Sequence, residues 1–521
     1  MIRIGLLFLF LATVEAYPVC AQPSNASSAA ASARAAAAAR EYRSAHQHEI
    51  AAELRELLSI PNIASDAPNI QRNADQLRLM LERRGMRVQF LATVPGRGPV
   101  VYGELLTPGA QRTVMFYAHY DGQPVDPAAW TDTRPFEPAL RTHSIAAGGR
   151  LIPFPAAGAK FEDDWRIYAR SASDDKSPIV ALLAALDALR AGKIAPAVNI
   201  KFILDGEEEA GSPNLEKTAV ANAELLQSDV LITCDGPVHQ SGRALVFYGN
   251  RGVVDANITV YGPVRPLHSG HYGNWAPNPG MRLAQLLASM KDDQGRVRIE
   301  GFYSEVTALT PQEQAAIQAM PANDAELQNE LQFGEAEGAG RTLVELINQP
   351  SLNVRGLRSA YVGAQSQNVV PEKAEASLDM RLVKNINPQR QVERLIAHIR
   401  KQGYFVVSGR EPTPEERRKY PRVARVDSDH GYPAARTAMD LPVSQAVARV
   451  VRAATGDVVL MPTLGGSAPM YIFEDRLRMP VIGVPIVNYD NSQHSHDENL
   501  RIGHFWRGIE IYAALMAGLA W

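Results

Sequence analysis

The sequence predicts an α/β fold, in which a mainly parallel sheet carries helices on both faces and is interrupted by an inserted α+β domain. Three observations indicate this fold. Strand-like and helix-like runs alternate near both ends of the chain, and the middle changes to half-exposed strands and amphipathic helices. At 521 residues, the chain also exceeds the length that one ordinary core supports.

Five apolar runs predict the strands of the parallel sheet. They are TVMFYA (113–118), RIYARSA (166–172), AVNIKFIL (197–204), DVLITC (229–234) and MPVIGVPIV (479–487). The segment 178–192 predicts a helix, because Pro178 suits a first helical turn and Gly192 suits a helix end. The alternation of strand and helix favours parallel pairing.

The N-terminal segment predicts a secretory signal peptide at residues 1–21. Arg3 precedes an apolar stretch at 4–14, and small residues surround Ala21, so the sequence predicts an exported, periplasmic or secreted protein. The alternative is a membrane anchor, for which the stretch is short. Residues 22–40 are rich in Ala and Ser and predict a leader that is flexible or a frayed helix.

The remaining chain is predicted to form two domains. The first domain is split into residues 41–246 and residues 411–521, the latter including an irregular connection, and residues 247–410 form the inserted domain. The net charge of −3 gives no reason to expect nucleic acid or an anionic membrane as a partner.

Acidic residues and histidines follow each predicted strand of the parallel sheet. They are His119, Asp121, Asp174, Asp175, Asp205, Glu207, Glu208, Glu209, Asp235, His494 and His496. The carboxyl ends of parallel strands share one edge, so these side chains are expected to converge there. Taken alone, the acidic run DGEEE could also be a solvated turn. The combined set instead predicts a site for two divalent metal ions, because histidine and carboxylate ligands suit zinc, with manganese or cobalt possible.

Seven motifs in order strengthen this interpretation. They are AHYDGQPVDPAAWTDTRPFEP, SASDDKSP, DGEEEAGS, PLHSG, NVVPEKAEASLDMRLV, GGSAP and HSHDENLR, and all of them lie between residues 113 and 501. The set resembles the zinc-dependent exopeptidase and amidase family of carnosinase-type dipeptidases, glutamate carboxypeptidase, acetylornithine deacetylase and succinyl-diaminopimelate desuccinylase. The likeness is greatest to the dipeptidase branch and implies a zinc exopeptidase-like fold. Ser177 departs from the family's usual Gly, and His496–Asp497 departs from its common Pro–Asn.

The resemblance implies a set of five metal ligands. His119 and Asp235 would bind one ion, Glu209 and His494 would bind the other, and Asp174 would bridge the two. His496 is an open alternative to His494, although the family motif favours the first histidine of the pair.

The resemblance also implies the catalytic residues. Glu208 would be the general base that takes a proton from the water bridging the metals, and Asp121 would orient the His119 ring. The peptide bond between Asp174 and Asp175 would be cis. His268 would reach across a homodimer, formed through the inserted lid and dimerisation domain, and stabilise the oxyanion in the partner's site.

Three further residues are implied to bind substrate. Arg381 and Ser467 match positions that hold the substrate's carboxylate, and Asn368 is a candidate for the same region. The implied function is a metal-dependent hydrolase cleaving an amide bond, as a dipeptidase or carboxypeptidase that releases a C-terminal amino acid. An N-acyl amino acid deacylase and an inactive binding module are the alternatives, and retention of Glu208 argues against the module.

Overall fold

A computed structural model describes residues 25–91, 94, 97–429 and 431–521 of the chain, so the predicted signal peptide lies outside the described residues. The helices are α1 Asn25–Leu58, α2 Ala67–Glu82, α3 Lys176–Ala191, α4 Leu215–Ala221, α5 Ala223–Leu226, α6 Ser269–Tyr272, α7 Pro279–Ala288, α8 Pro311–Gln318, α9 Asp324–Leu331, α10 Leu343–Ile347, α11 Pro388–Lys401, α12 Pro414–Lys419, α13 Pro442–Thr455 and α14 Ile502–Gly518. None of these described helices is long and apolar enough to cross a membrane.

The strands alternate with these helices along the chain. They are β1 Arg87–Leu91, β2 Val100–Leu105, β3 Thr113–His119, β4 Ala139–Arg141, β5 Leu151–Ile152, β6 Arg166–Tyr168, β7 Asn199–Asp205, β8 Val230–Thr233, β9 Leu245–Phe247, β10 Gly249–Tyr261, β11 Leu267–His268, β12 Ser351–Arg358, β13 Val369–Val370, β14 Lys373–Leu382, β15 Phe405–Val407, β16 Val423–Ser428, β17 Ala435–Arg436, β18 Val459–Met461, β19 Leu464–Ser467, β20 Val481–Gly483 and β21 Asn499–Arg501.

Eight of the described strands form the main sheet, in the order β1-β2-β7-β3-β8-β20-β9-β18. Its centre, β7-β3-β8-β20, is parallel, whereas β1 and β2 are antiparallel. Helices α1, α3 and α14 cover one face through a large apolar core, and α4 and α5 pack on the other. The predicted α/β fold with helices on both faces is confirmed.

The predicted strand at 166–172 is wrong in both length and placement. β6 ends at Tyr168 and pairs with β21 and β4 in a small antiparallel sheet, order β21-β6-β4-β5, outside the main sheet. A short apolar run does not distinguish these two settings. As a consequence, Asp174 reaches the site from the tight loop before α3 rather than from a strand of the parallel sheet.

Residues 25–40 belong to helix α1, which contradicts the flexible alternative for this leader and agrees with the helical one. Ala35, Ala36 and Ala39 are buried in the main core, and Ser28 Oγ donates a hydrogen bond to the Gly518 carbonyl at the end of α14. A Cβ at Gly518 would lie 2.0 Å from Ser32 Oγ, so only glycine permits this approach. Small residues let the two helices pack closely.

The inserted segment forms a second sheet, in the order β12-β14-β10-β16-β15, with α7 and α11 packed against it around a separate core. Strand β16 belongs to this sheet, although the predicted domain ends at residue 410, so part of the predicted irregular connection is regular structure. The 13-residue strand β10 also pairs with β17 and β19 at its start, which ties the second sheet to the first domain. The exact division into domains stays a prediction.

Candidate metal centre

The predicted ligands come together at the carboxyl edge of the parallel strands. His119 is the last residue of β3, Asp235 follows β8, and Glu209 lies in the short turn after β7. Asp174 precedes α3, and His494 lies in the loop that follows β20. The peptide bond Asp174–Asp175 is cis, which confirms that prediction.

Asp174 contacts both histidines with its two oxygens. His119 Nε2 lies 2.8 Å from Asp174 Oδ1, and His494 Nε2 lies 3.1 Å from Asp174 Oδ2. His494 Nε2 also lies 3.3 Å from Glu209 Oε2. Ligand atoms of His119, Asp174 and Glu209 all lie within 4.8 Å of one another, and so do those of His119, Asp175 and Asp235. Two overlapping groups with metal-ligand spacing therefore share His119.

Asp235 and Glu209 favour protonation because they are buried and lie close to other carboxylates. Burial, reinforced by the charge of Asp174, raises the pKa of Asp235 to about 6 and that of Glu209 to about 7. The contact with the Asp174 carboxylate raises the pKa of His494 to about 9. Burial opposes the shift at Asp174, but its contacts with His119 and His494 lower its pKa below the usual range. Among the five candidate ligands, only His119 and His494 can carry a positive charge, and each does so only when its ring is protonated.

The donor set fits a pair of divalent cations. Asp174 Oδ2 is buried, and its 3.1 Å contact with His494 Nε2 lacks the geometry of a hydrogen bond, although buried carboxylate oxygens normally have hydrogen-bonding partners. Histidine nitrogens beside carboxylate oxygens suit zinc and its neighbours in the first transition row. A cation at this position would supply the missing partner.

Asp121 joins His119 to the acidic turn. Its Oδ1 lies 3.4 Å from His119 Nδ1, and its two oxygens accept the backbone N–H groups of Glu208 and Glu209 at 3.0 Å each. His119 Nδ1 also lies 3.2 Å from the backbone carbonyl oxygen of Asp121, and the Asp121 carboxylate fixes the start of the 3₁₀ turn Glu208–Ala210. The hydrogen bonds from the Glu208 and Glu209 backbone to Asp121 were not predicted from the sequence.

The other acids of DGEEE stabilise the turn from within. Asp205 accepts hydrogen bonds from Ser212 Oγ at 2.6 Å and from the Glu207 backbone N–H at 3.1 Å. Glu207 accepts a hydrogen bond from Asn214 at 2.7 Å. These contacts are those of an ordered loop, and they leave Glu208 and Glu209 directed to the site.

Glu498 is a residue of this region that sequence reasoning missed. Its carboxylate is fully buried, accepts the backbone N–H groups of Ser171, Ser173 and Asp174 at 2.9 Å each, and pairs with Arg170 Nη1 at 2.8 Å. It therefore fixes the loop that presents Asp174. Its only signal in the sequence was its place in the motif HSHDENLR, because an isolated acid in a loop is typical of a solvated surface.

Glu498→Ala is expected to lower the free energy of unfolding by about 3–5 kcal/mol, because it leaves the Arg170 charge buried and unpaired. It should also lower the metal content, since the loop bearing Asp174 loses three hydrogen bonds. Denaturant unfolding and metal analysis test both effects. Glu137→Ala, which breaks an exposed pair with Arg134, should cost less than about 1 kcal/mol. Equal losses in the two variants would contradict this role of Glu498.

Arg381 and Ser467 lie together in the cavity beside the metal centre. The cavity measures about 770 Å³ and is lined by both residues as well as by Asp174, Glu208 and Asp235. Arg381 Nη1 donates a hydrogen bond to Ser467 Oγ at 2.7 Å. A guanidinium next to a hydroxyl, facing an otherwise acidic site, can bind a carboxylate.

His268 and Asn368 lie apart from this cavity. Both are exposed on a two-stranded ribbon in which His268 pairs with Val369, and Asn368 accepts a backbone hydrogen bond from Ser269. Neither residue lines the cavity of its own chain. The structure thus groups Asn368 with His268 instead of with Arg381 and Ser467.

Comparisons with known proteins decide the family. A family model described as Peptidase family M20/M25/M40 matches residues 115–518. The chain belongs to this family. The match includes every predicted metal ligand and agrees with the resemblance to dipeptidases noted in the sequence.

Individual M20 relatives align over nearly the whole chain. The Cys-Gly metallodipeptidase dug1 of Schizosaccharomyces pombe is 26% identical over 495 residues, covering 91% of this chain and 96% of the relative. The human Beta-Ala-His dipeptidase is 26% identical over 505 residues, covering 92% of each chain. The M20 family metallo-carboxypeptidase Sso-CP2 from Sulfolobus solfataricus superposes with a TM-score of 0.73 at 28% identity, over 90% of this chain and 99% of its own.

These relatives also correct the predicted localisation. The sequence predicted an exported protein, but the yeast metallodipeptidases among the relatives give no support for export. The predicted signal peptide lies outside the described residues and adds no structural support. The prediction of export is therefore contradicted.

Proposed function

We propose that this M20 peptidase is a dinuclear metal-dependent dipeptidase that hydrolyses an amide bond and releases a C-terminal amino acid. The observation that carries the proposal is Asp174, whose two oxygens face His119 on one side and His494 on the other. Family membership and the dipeptidase names of the relatives support the reaction type. Glu208, Arg381 and three of the five proposed ligands line one cavity, which supports a common substrate site; the three ligands are Asp174, Asp235 and His494.

In this proposal, the metals are two zinc ions, with manganese or cobalt as substitutes. His119 and Asp235 would hold one ion, Glu209 and His494 the other, and Asp174 both. Gln123 Nε2 donates a hydrogen bond at 2.7 Å to Glu209 Oε2, the oxygen that lies 3.3 Å from His494 Nε2, and so holds this carboxylate beside the second ligand. When bound, such ions polarise a carbonyl and lower the pKa of water from 15.7 to about 7.

Glu208 is the proton carrier of the proposed reaction. Burial and the charges of Asp235 and Glu209 raise its pKa well above the ordinary value, whereas His119 lowers it. A carboxylate with raised proton affinity can accept a proton from the attacking water and later deliver it to the leaving amine nitrogen. Arg381 and Ser467 would hold the substrate carboxylate, which orients the scissile carbonyl toward Glu208.

A homodimer through the lid domain completes the proposal. The lid exposes large apolar side chains, including Trp275 at 81%, Val362 at 85% and Leu357 at 62% relative exposure. Exposed apolar patches of this kind are typical of interaction surfaces. His268 and Asn368 lie in the same part of the lid, away from their own cavity, so both would serve the partner's site.

Co-expression of two inactive variants tests the shared site. His268→Ala and Glu208→Gln should each have low activity alone, yet their heterodimer contains one site with an intact Glu208 and the partner's intact His268. With equal expression and random pairing, about a quarter of the wild-type activity per chain should return. Activity no greater than that of the two variants assayed separately would contradict a shared site.

Metal affinity is expected to rise with pH between about 6 and 9. Each ligand must lose its proton before it binds metal, and the pKa is about 6 for Asp235, about 7 for Glu209 and about 9 for His494. At pH 7 these three groups together hold about 1.6 protons. At His119 burial is outweighed by Asp121 and Asp174, which raise its pKa well above the ordinary value, so this ring holds about one more. Zinc binding to chelator-stripped protein should therefore release roughly two to three protons per chain. Calorimetry in buffers of different ionisation enthalpy measures this number. Affinity that is independent of pH would contradict the ligand set.

A hydrolysis screen tests the proposed reaction itself. The metal-loaded protein should cleave dipeptides and release the C-terminal amino acid, detected by mass spectrometry of the products. N-acetyl and N-succinyl amino acids distinguish the deacylase alternative, which uses the same site. Cleavage of the N-acyl amino acids with no cleavage of dipeptides would favour the deacylase. Cleavage of neither would contradict a hydrolase of this type.

A further inference from the structure

The cavity beside the metal centre has a large apolar chamber that the proposed chemistry does not use. Its walls include Leu245 and Phe247 on β9, Met461 at the end of β18, and Leu464 on β19. Met320 packs against the same cluster and closes it from the lid side. With a volume of about 770 Å³, the complete cavity lies within the range of sites for small organic ligands.

The carboxylate-binding residues lead directly into this chamber. Ser467, which contacts Arg381, ends strand β19, and Leu464, which lines the chamber, begins the same strand. Gly465 and Gly466 lie between them and have no side chain to separate the two regions. The side chain of an amino acid begins one bond from the carbon that carries its carboxylate, so a residue held by Arg381 projects its side chain beside this strand.

The charged groups at the lid end of the chamber are already engaged. Asp324 Oδ1 accepts the Leu343 backbone N–H at 3.0 Å, and Glu345 accepts the Thr342 backbone N–H at 2.8 Å as part of a helix cap. Carboxylates bound to a helix start are satisfied there and are less available to a cationic substrate side chain. The chamber therefore favours an apolar occupant over a charged one.

Resting on the proposed function, we infer that the chamber takes a large apolar side chain of the C-terminal residue, so that the substrates are dipeptides ending in residues such as Leu or Phe. A C-terminal glycine has no side chain and would make no contact with the apolar walls. This preference separates the chain from relatives whose names specify Cys-Gly or Beta-Ala-His substrates.

A matched series of dipeptides tests the inference. We expect kcat/KM for Gly-Leu and Gly-Phe to exceed that for Gly-Gly by at least about tenfold, and the reversed peptides Leu-Gly and Phe-Gly to show no such gain. Equal rates across the series, or a gain only for the reversed peptides, would overturn the inference while leaving the hydrolase proposal intact. No cleavage of any dipeptide would overturn the proposed function, and this inference with it.

Two variants and one control link the preference to the chamber. Leu343→Asp places a charge in the lining from a residue that is 38% exposed, and should lower kcat/KM for Gly-Leu about tenfold while changing Gly-Gly by less than about twofold. Met320→Ala should act in the same direction. Leu331→Asp makes the same change at a residue of α9 that is 59% exposed and does not line the cavity, and should leave both rates unchanged. Parallel losses for both peptides in the lining variants would overturn the inference.

Discussion

Replacing Glu208 with glutamine is expected to lower kcat for a dipeptide by a factor of about 10²–10⁴ while the chain keeps two metal ions. Glutamine has the shape of the glutamate but cannot accept a proton from water at neutral pH. The backbone N–H of Glu208 would still bond to Asp121, so the turn should persist. Steady-state kinetics together with metal analysis measure the two parts of the prediction.

Two further variants make the result specific to Glu208. Glu209→Gln should lose metal as well as activity, because Glu209 is the proposed ligand. Glu224→Gln removes an exposed carboxylate in α5 and should change neither quantity. Metal loss in Glu208→Gln, with metal retained in Glu209→Gln, would show that the roles of the two glutamates are reversed.

Asp174→Asn is expected to lower both metal content and activity more than any other single ligand change. Asp174 is the proposed ligand of both ions, and its amide replacement keeps the shape but loses the charge. Changing a residue that only supports a ligand costs about 10–100-fold in metal affinity or activity, so the activity loss here should exceed about 100-fold. Metal analysis after gel filtration, combined with kinetics, checks both losses.

Asp175→Asn makes the same change at the neighbouring acid, which belongs to the second group with metal-ligand spacing but is not a proposed ligand. Asp175 is buried next to Asp235, and burial raises its pKa well above the ordinary value, so the neutral amide resembles its favoured form. Its hydrogen bond from the His119 backbone N–H, at 3.3 Å, can persist in the amide. The variant should keep both metals. Metal loss in Asp175→Asn, without metal loss in Asp174→Asn, would show that Asp175, and not Asp174, bridges the two ions.

The central strands could be predicted from the sequence because they are buried on both faces. The runs 113–118, 197–204 and 229–234 are mainly apolar, and each is followed within five residues by a candidate ligand. Since parallel strands share an edge, the convergence of His119, Glu209 and Asp235 followed from order alone. The run 166–172, which contains two arginines, failed because only 166–168 forms a strand, and that strand belongs to a small antiparallel sheet.

Other features depend on contacts that no local pattern encodes. The Ala-rich segment resembles a flexible leader, yet Ala35 and Ala39 are buried because α14 offers a close surface with Gly518. Glu498 resembles a solvated acid until the fold brings three backbone N–H groups and Arg170 to it. His268 does not line the cavity of its own chain, which agrees with the expectation that it serves the partner's site. That expectation came from the family resemblance and not from residue spacing.

The number of metal ions bound per folded chain tests the central claim most directly. Chelator-stripped protein should be titrated with zinc while dipeptide hydrolysis and bound metal are followed in the same samples. The account predicts that activity saturates at two ions per chain and disappears when both are removed. Full activity in folded protein that holds no metal, or saturation at a single ion, would contradict a dinuclear centre bridged by Asp174.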